Sequence, residues 1–149
     1  KKKKKSARED IAKKIQNQLE NMTDPAVGAV SREFFDVAKL AITQFPAVLI
    51  TTADETREDF TMSERQGVIR FNLRCYVRGT QIDTLRNEIV ERIEETLEVS
   101  RDRDITLSSN NIHHVTTRVA GVEVIERELP LGEVVVQVDV TYRYKKGVL

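Results

Sequence analysis

Residues 133–145 constrain the fold more than any other stretch, because Val134, Val136, Val138, Val140, Tyr142 and Tyr144 alternate with Val135, Gln137, Asp139, Thr141 and Arg143. Successive side chains of a strand point to opposite faces, so the pattern predicts a long strand with one dry and one polar face. Residues 68–78 repeat the design: Ile69, Phe71, Leu73, Cys75 and Val77 share one face, and Arg70, Asn72, Arg74, Tyr76 and Arg78 the other. Two such strands need a cover for their dry faces. Residues 80–98 supply one, because Ile82, Leu85, Ile89, Ile93 and Leu97 recur at helical spacing while Arg86, Glu91, Glu94, Glu95 and Glu98 fall off that stripe. Glu88 is placed to pair with Arg92 four residues on, and Thr80-Gln81-Ile82-Asp83 reads as the helix's capping box.

A first helix is predicted from Ser6 or Ala7, where Ser6-Ala7-Arg8-Glu9 forms a capping box and Ile11, Ile15, Leu19 and Met22 make an apolar stripe. Asp24-Pro25 ends it. Residues 26–42 fit either a short strand leading into a helical turn or a mostly extended segment. After Phe45-Pro46, the apolar run 47–52 predicts a buried strand. Residues 54–64 are so charged that a solvent-facing or partner-facing loop is expected, with Asp54, Glu55, Glu58 and Asp59 as its contact residues. Residues 100–111 read as a polar loop with a short strand at 105–107. Residues 112–128 read as extended with a bend at Gly121, and Leu129-Pro130-Leu131-Gly132 as the turn into the closing strand. The expected architecture is α+β: a mixed or antiparallel sheet of four to five strands with two main helices on one face. Residues 6–146 are expected to form one domain, with a disordered basic arm at 1–5 and a tail at 147–149.

Lys and Arg balance Asp and Glu at 24 each, yet Lys1, Lys2, Lys3, Lys4 and Lys5 hold five of the positive charges, so a basic arm precedes an acidic body. The arm is a candidate DNA contact, although a plain solvated, disordered terminus is the favoured explanation. Cys75 is the sole cysteine, which excludes an internal disulfide and a Cys-based zinc site, and no apolar run is long enough for a membrane span. A reducing, intracellular setting without membrane contact is expected.

No phosphate-binding glycine loop, dinucleotide fingerprint, nucleophile elbow or metalloprotease helix motif occurs, so no enzyme activity and no cofactor are expected. His113 and His114 are adjacent in an extended segment, where they point to opposite faces and cannot readily share one metal ion. Cys75 lies on the dry face with Phe71 and Leu73, which predicts a buried, unreactive thiol. The acids of residues 54–64 lack calcium-loop spacing. Arg70, Arg74 and Arg78 form a row on the polar face, joined by Arg143 and Lys145 if the two long strands are neighbours. That face would then be basic and suited to an acidic subunit surface or to nucleic acid. Cross-strand pairing of arginines with Asp139 is the alternative.

The succession of these elements resembles the tail terminator proteins of tailed bacteriophages, also called tail completion or tail-to-head joining proteins. The resemblance spans residues 6–144. It rests on the amphipathic first helix, Phe45-Pro46-Ala47-Val48-Leu49-Ile50, the alternating strand that follows Gly67, the helix after it and the closing Val-Gln-Val-Asp-Val-Thr-Tyr strand. It implies a non-enzymatic virion subunit, assembled in the host cytoplasm, that forms a hexameric ring on the tail tube, stops its elongation and joins tail to head or neck. The implied partners are further copies of the chain, the tail tube protein, a head-completion or neck protein, a sheath protein if the tail contracts, and DNA passing through the channel. Arg70, Arg74, Arg78, Asp139 and Arg143 are then candidates for subunit or channel contacts. A small nucleic-acid-binding module using the basic arm and the arginine-rich face is the alternative function.

Overall fold

The structure, a computed structural model, describes residues 7–23, 26–99 and 112–145. In chain order the main elements are α1 (Ala7–Glu20), β1 (Ala29–Ser31), β2 (Ala47–Asp59), β3 (Glu64–Arg78), α2 (Ile82–Glu94), β4 (Ile112–Ile125) and β5 (Leu131–Lys145). The strands form one sheet in the order β1-β2-β3-β5-β4. Only β1 and β2 run parallel; the other neighbours are antiparallel, so the sheet is mixed and the fold α+β.

The dry faces predicted for the two long strands meet in the centre of the sheet. β3 and β5 pair along fifteen positions, from Glu64 opposite Lys145 to Arg78 opposite Leu131. Ile69, Phe71, Leu73, Cys75 and Val77 therefore sit beside Val134, Val136, Val138, Val140 and Tyr142, all buried. Both helices cover this inner face. α1 contributes Ile11, Ala12, Ile15 and Leu19, and α2 contributes Ile82, Ile89 and Ile93, with Leu97 following in the π-helical turn Glu95–Val99. Burial of these aliphatic groups is the main favourable term holding the layers together.

Three expectations need correction. Residues 54–59 are not a loop, because β2 continues to Asp59 and pairs with β3 as far as Arg65. A bulge between Thr52 and Glu55 adds one residue to β2, which flips the side-chain parity and turns Glu55 inward opposite Ile69. The cap of α2 is Gln81 without a side-chain cap bond, so Thr80 does not serve as the N-cap. α1 ends at Glu20, short of Asp24-Pro25, while Ser6 and Pro25 lie outside the described residues.

The outer face is also drier than alternation predicts. The ambiguous stretch after α1 resolves into β1 and two short 3-10 turns, Val37–Lys39 and Ile42–Gln44. It lays Phe35, Val37, Leu40 and Phe45 over Ala47, Leu49 and Tyr76, with Phe35 edge-on to the Tyr76 ring at 5.7 Å. Apolar residues on the polar face of β2, β3 and β5 attract that second cover, because leaving them wet forgoes their transfer free energy. The bend expected near Gly121 is a register shift between Val119 and Gly121, and a second shift lies between His114 and Thr116. The short strand expected at 105–107 lies outside the described residues.

Candidate assembly surfaces

Three surfaces carry the residues singled out in the sequence: the outer face of the sheet, the β2–β3 hairpin and the end of the sheet where α2 begins. On the outer face β3 and β5 are neighbours, so the arginine row does lie beside Asp139 and Arg143. The row is not a free basic patch. Arg70 Nε donates to Asp139 Oδ1 at 2.9 Å, and the carboxylate holds the guanidinium pKa above its ordinary value. Asp139 also stands in register with Arg118 of β4, so one acid lies between two arginines across three strands. Arg143 donates to Gln66 Oε1 at 3.1 Å and stacks on the Phe60 ring with its guanidinium carbon 3.7 Å from the centroid. Arg78 is exposed at the end of β3.

Arg74 takes part in a cluster that the sequence did not reveal. Its Nη1 lies 3.0 Å from Glu133 Oε2, while Arg127 Nε approaches Glu133 Oε1 at 2.5 Å. Glu133 is only 1 % exposed, so two cations hold a carboxylate that water hardly reaches. Arg127 also covers the Tyr76 ring at 5.3 Å, and burial together with the Glu133 charge pushes the Tyr76 hydroxyl pKa up. The cluster ties β3, the β4–β5 connection and the start of β5 together on the outer face. The cross-strand register of Glu133 with Tyr76 is the signal that locates it, and that register is not a property of local sequence.

The four acids expected to contact partners divide by role. Glu55 is structural: it accepts from the Tyr142 hydroxyl, lies 3.2 Å from Arg8 Nε of α1 and 2.9 Å from Arg57 Nε. Burial and this bond to a carboxylate raise the Tyr142 pKa. Asp59 lies 3.4 Å from Arg65 Nε across the hairpin. Asp54 and Glu58 are exposed. The hairpin's apex is apolar instead, with Phe60 46 % and Met62 95 % exposed. Its turn is organised, since Phe60 and Thr61 N–H groups donate to the Glu64 carbonyl and the Thr61 hydroxyl accepts from Ser63 and Glu64 N–H. Those two apolar residues inside a charged run were visible in the sequence but masked by the charges around them.

At the opposite end of the sheet, Ile42, Phe45 and Pro46 face Val77, Arg78, Leu85, Glu88 and Ile89 across a groove of about 220 Å³. Cys75 is fully buried and burial raises its thiol pKa, as expected for a core residue. His113 and His114 stand in backbone register with Arg143 and Tyr142. Among the described residues no cluster of three His, Cys, Asp or Glu side chains is placed to hold a metal ion, and no helix is long and apolar enough to cross a membrane. Lys1, Lys2, Lys3, Lys4 and Lys5 lie outside the described residues.

No protein-family model matches the chain, and neither does any curated protein. A solved structure does. It is a chain of the virion of a native gene transfer agent particle, with a TM-score of 0.57, covering 91 % of this chain and 93 % of that one. The likeness is one of fold. At 10 % identity it does not extend to individual side chains, but it spans nearly the whole of both chains, helices and sheet together.

Proposed function

We propose that this chain is a structural subunit of a phage-like virion particle, and specifically a tail terminator whose ring caps the tail tube. The observation that carries the reading is the shared fold over 91 % of the chain with a component of a gene transfer agent virion. The order of sequence elements that resembles tail terminators points the same way. The surfaces fit an assembly role: paired charges on the outer face, an apolar hairpin apex and an apolar groove are means of contacting protein. The proposed partners are further copies of the chain, the tail tube protein and a head-completion or neck protein, with a sheath protein in a contractile particle and DNA passing through the channel. Added to purified tail tubes, the protein is expected to bind their ends and appear there as a ring by electron microscopy; tubes that stay uncapped would refute the proposal.

The nucleic-acid reading rests on one observation, the excess of arginine over acid where Asp139 stands between Arg70 and Arg118 and Glu133 between Arg74 and Arg127. Both Arg70 and Arg74 are engaged with acids, which lowers their availability to phosphate. Charge reversal at Arg74 would set a second acid beside buried Glu133 and disturb the fold, so Arg78 and Arg143 are the better test positions. Under this reading Arg78→Glu with Arg143→Glu weakens DNA binding at least tenfold and flattens its salt dependence. Under the assembly reading, binding by the free protein is weak from the start.

A further inference from the structure

The apolar apex of the β2–β3 hairpin and the groove beside α2 lie at opposite ends of the same strand, β3. The apex presents Met62, almost wholly exposed, on a turn fixed by its own hydrogen bonds. The groove is walled by Ile42, Phe45, Val77, Leu85 and Ile89, with 71 % of Ile42 exposed at its rim. We propose that Met62 of one copy docks in this groove of the next, making the head-to-tail contact that builds the ring. The inference rests on the ring reading above and names the surfaces through which copies meet.

Three features favour a second copy as the occupant. A flexible, polarisable methionine side chain suits an apolar groove of about 220 Å³, and a rigid turn presents it at little ordering cost. One pair of flanking charges is complementary: Glu58 is exposed beside the apex and Arg78 at the border of the groove, whereas Asp59 and Arg65 already face each other across the hairpin. The geometry forbids the contact within one molecule, because the fifteen residues of β3 separate the two sites by about 45 Å at about 3.3 Å per residue. A contact between two different patches is heterologous, and such contacts propagate head to tail and close into a ring when the rotation per step completes a circle.

Paired cysteines test this directly, because buried Cys75 contributes little background. Full-length protein carrying Met62→Cys and Ile42→Cys is oxidised with copper phenanthroline, alone and on purified tail tubes, beside each single variant. The expected result is a reducible ladder of oligomers from the double variant and none from either single. Disulfide-linked dimers from Met62→Cys alone would show that apex meets apex and overturn the proposal. As a second measurement, Met62→Glu is expected to weaken self-association at least tenfold by sedimentation, with Met62→Leu close to wild type; a Met62→Glu protein that associates normally overturns it too. An amine-reactive cross-linker separates this proposal from the ring reading. If it captures rings on tubes while the cysteine pair stays unlinked, the apex–groove contact is wrong and the ring stands. If neither reagent captures an oligomer and the tube ends are bare, the ring reading fails and the contact with it.

Discussion

Replacing Arg74 and Arg127 together with methionine will destabilise the fold by about 3–5 kcal/mol, the cost of leaving a buried charge without its partners. The carboxylate concerned is Glu133, 1 % exposed, with Arg74 at 3.0 Å and Arg127 at 2.5 Å. Either single replacement leaves one cation in place, so each should cost about 1–2 kcal/mol and the double more than their sum. The reverse change is cheaper. The side chains of Arg74 and Arg127 are 44 % and 38 % exposed, so after Glu133→Met both guanidinium groups regain water and the loss should be about 1 kcal/mol. The triple variant, with all three positions methionine, should recover most of the stability that the double loses. Urea unfolding of the five variants and the wild type measures the whole cycle. A double variant within 0.5 kcal/mol of wild type would mean that Glu133 is far better solvated than its burial indicates.

The cluster also shows where sequence reading stops. Alternation placed every inner residue of β3 and β5 correctly, because a period of two is a local property and the dry face demanded a cover that the helical stripes supplied. Arg70 and Asp139 emerged as a pair because both lie on the polar face of long, regular strands. Glu133 did not, since an acid at a strand start reads as solvated, and its burial comes from neighbours that only the register brings in. Residues 54–59 were misread for a related reason. Their charges suggested a loop, whereas the bulge at Thr52/Glu55 turns Glu55 inward to meet Tyr142 and leaves Thr56 and Glu58 on the other face. The candidate assembly surfaces were half legible. The hairpin's position could be inferred from Gly67 and the following strand, but the groove needs Ile42, Val77 and Leu85 together, residues that stand far apart in sequence.

The hairpin proposed to dock is also the one most firmly braced. Glu55 joins β2 to β5 through Tyr142 and to α1 through Arg8, while Arg57 reaches Glu55 and stands 5.7 Å from the Tyr144 ring centroid. The arm that carries Phe60 and Met62 is thereby braced against the body of the sheet. A braced apex docks at little ordering cost, which favours the proposed contact.

Gly67→Ala should break that brace and cost about 2–3 kcal/mol. Gly67 stands opposite Tyr142 in the β3–β5 register, and the Tyr142 ring lies across the space a side chain would occupy. A Cβ at position 67 would meet Tyr142 Cζ at 2.6 Å, Cε1 at 2.7 Å and the hydroxyl oxygen at 2.8 Å. The ring cannot simply swing away, because Tyr142 is fully buried, stacks on Tyr144 at 5.6 Å and donates its hydroxyl to Glu55. Overpacking at such a site costs roughly 1–3 kcal/mol, and losing a hydrogen bond to a charged group adds to it. Tyr142→Phe is the control for the hydrogen bond alone and should cost about 1–2 kcal/mol, since Glu55 keeps both arginines. Tyr142→Val in the Gly67→Ala background removes the clash, so the double variant should lose less than the two single losses added together. Amide hydrogen exchange gives the second readout. Gly67→Ala should speed exchange along residues 55–66 while the centre of β3 at Leu73 stays protected, and uniform protection through the hairpin would show that the glycine is not what lets the brace form.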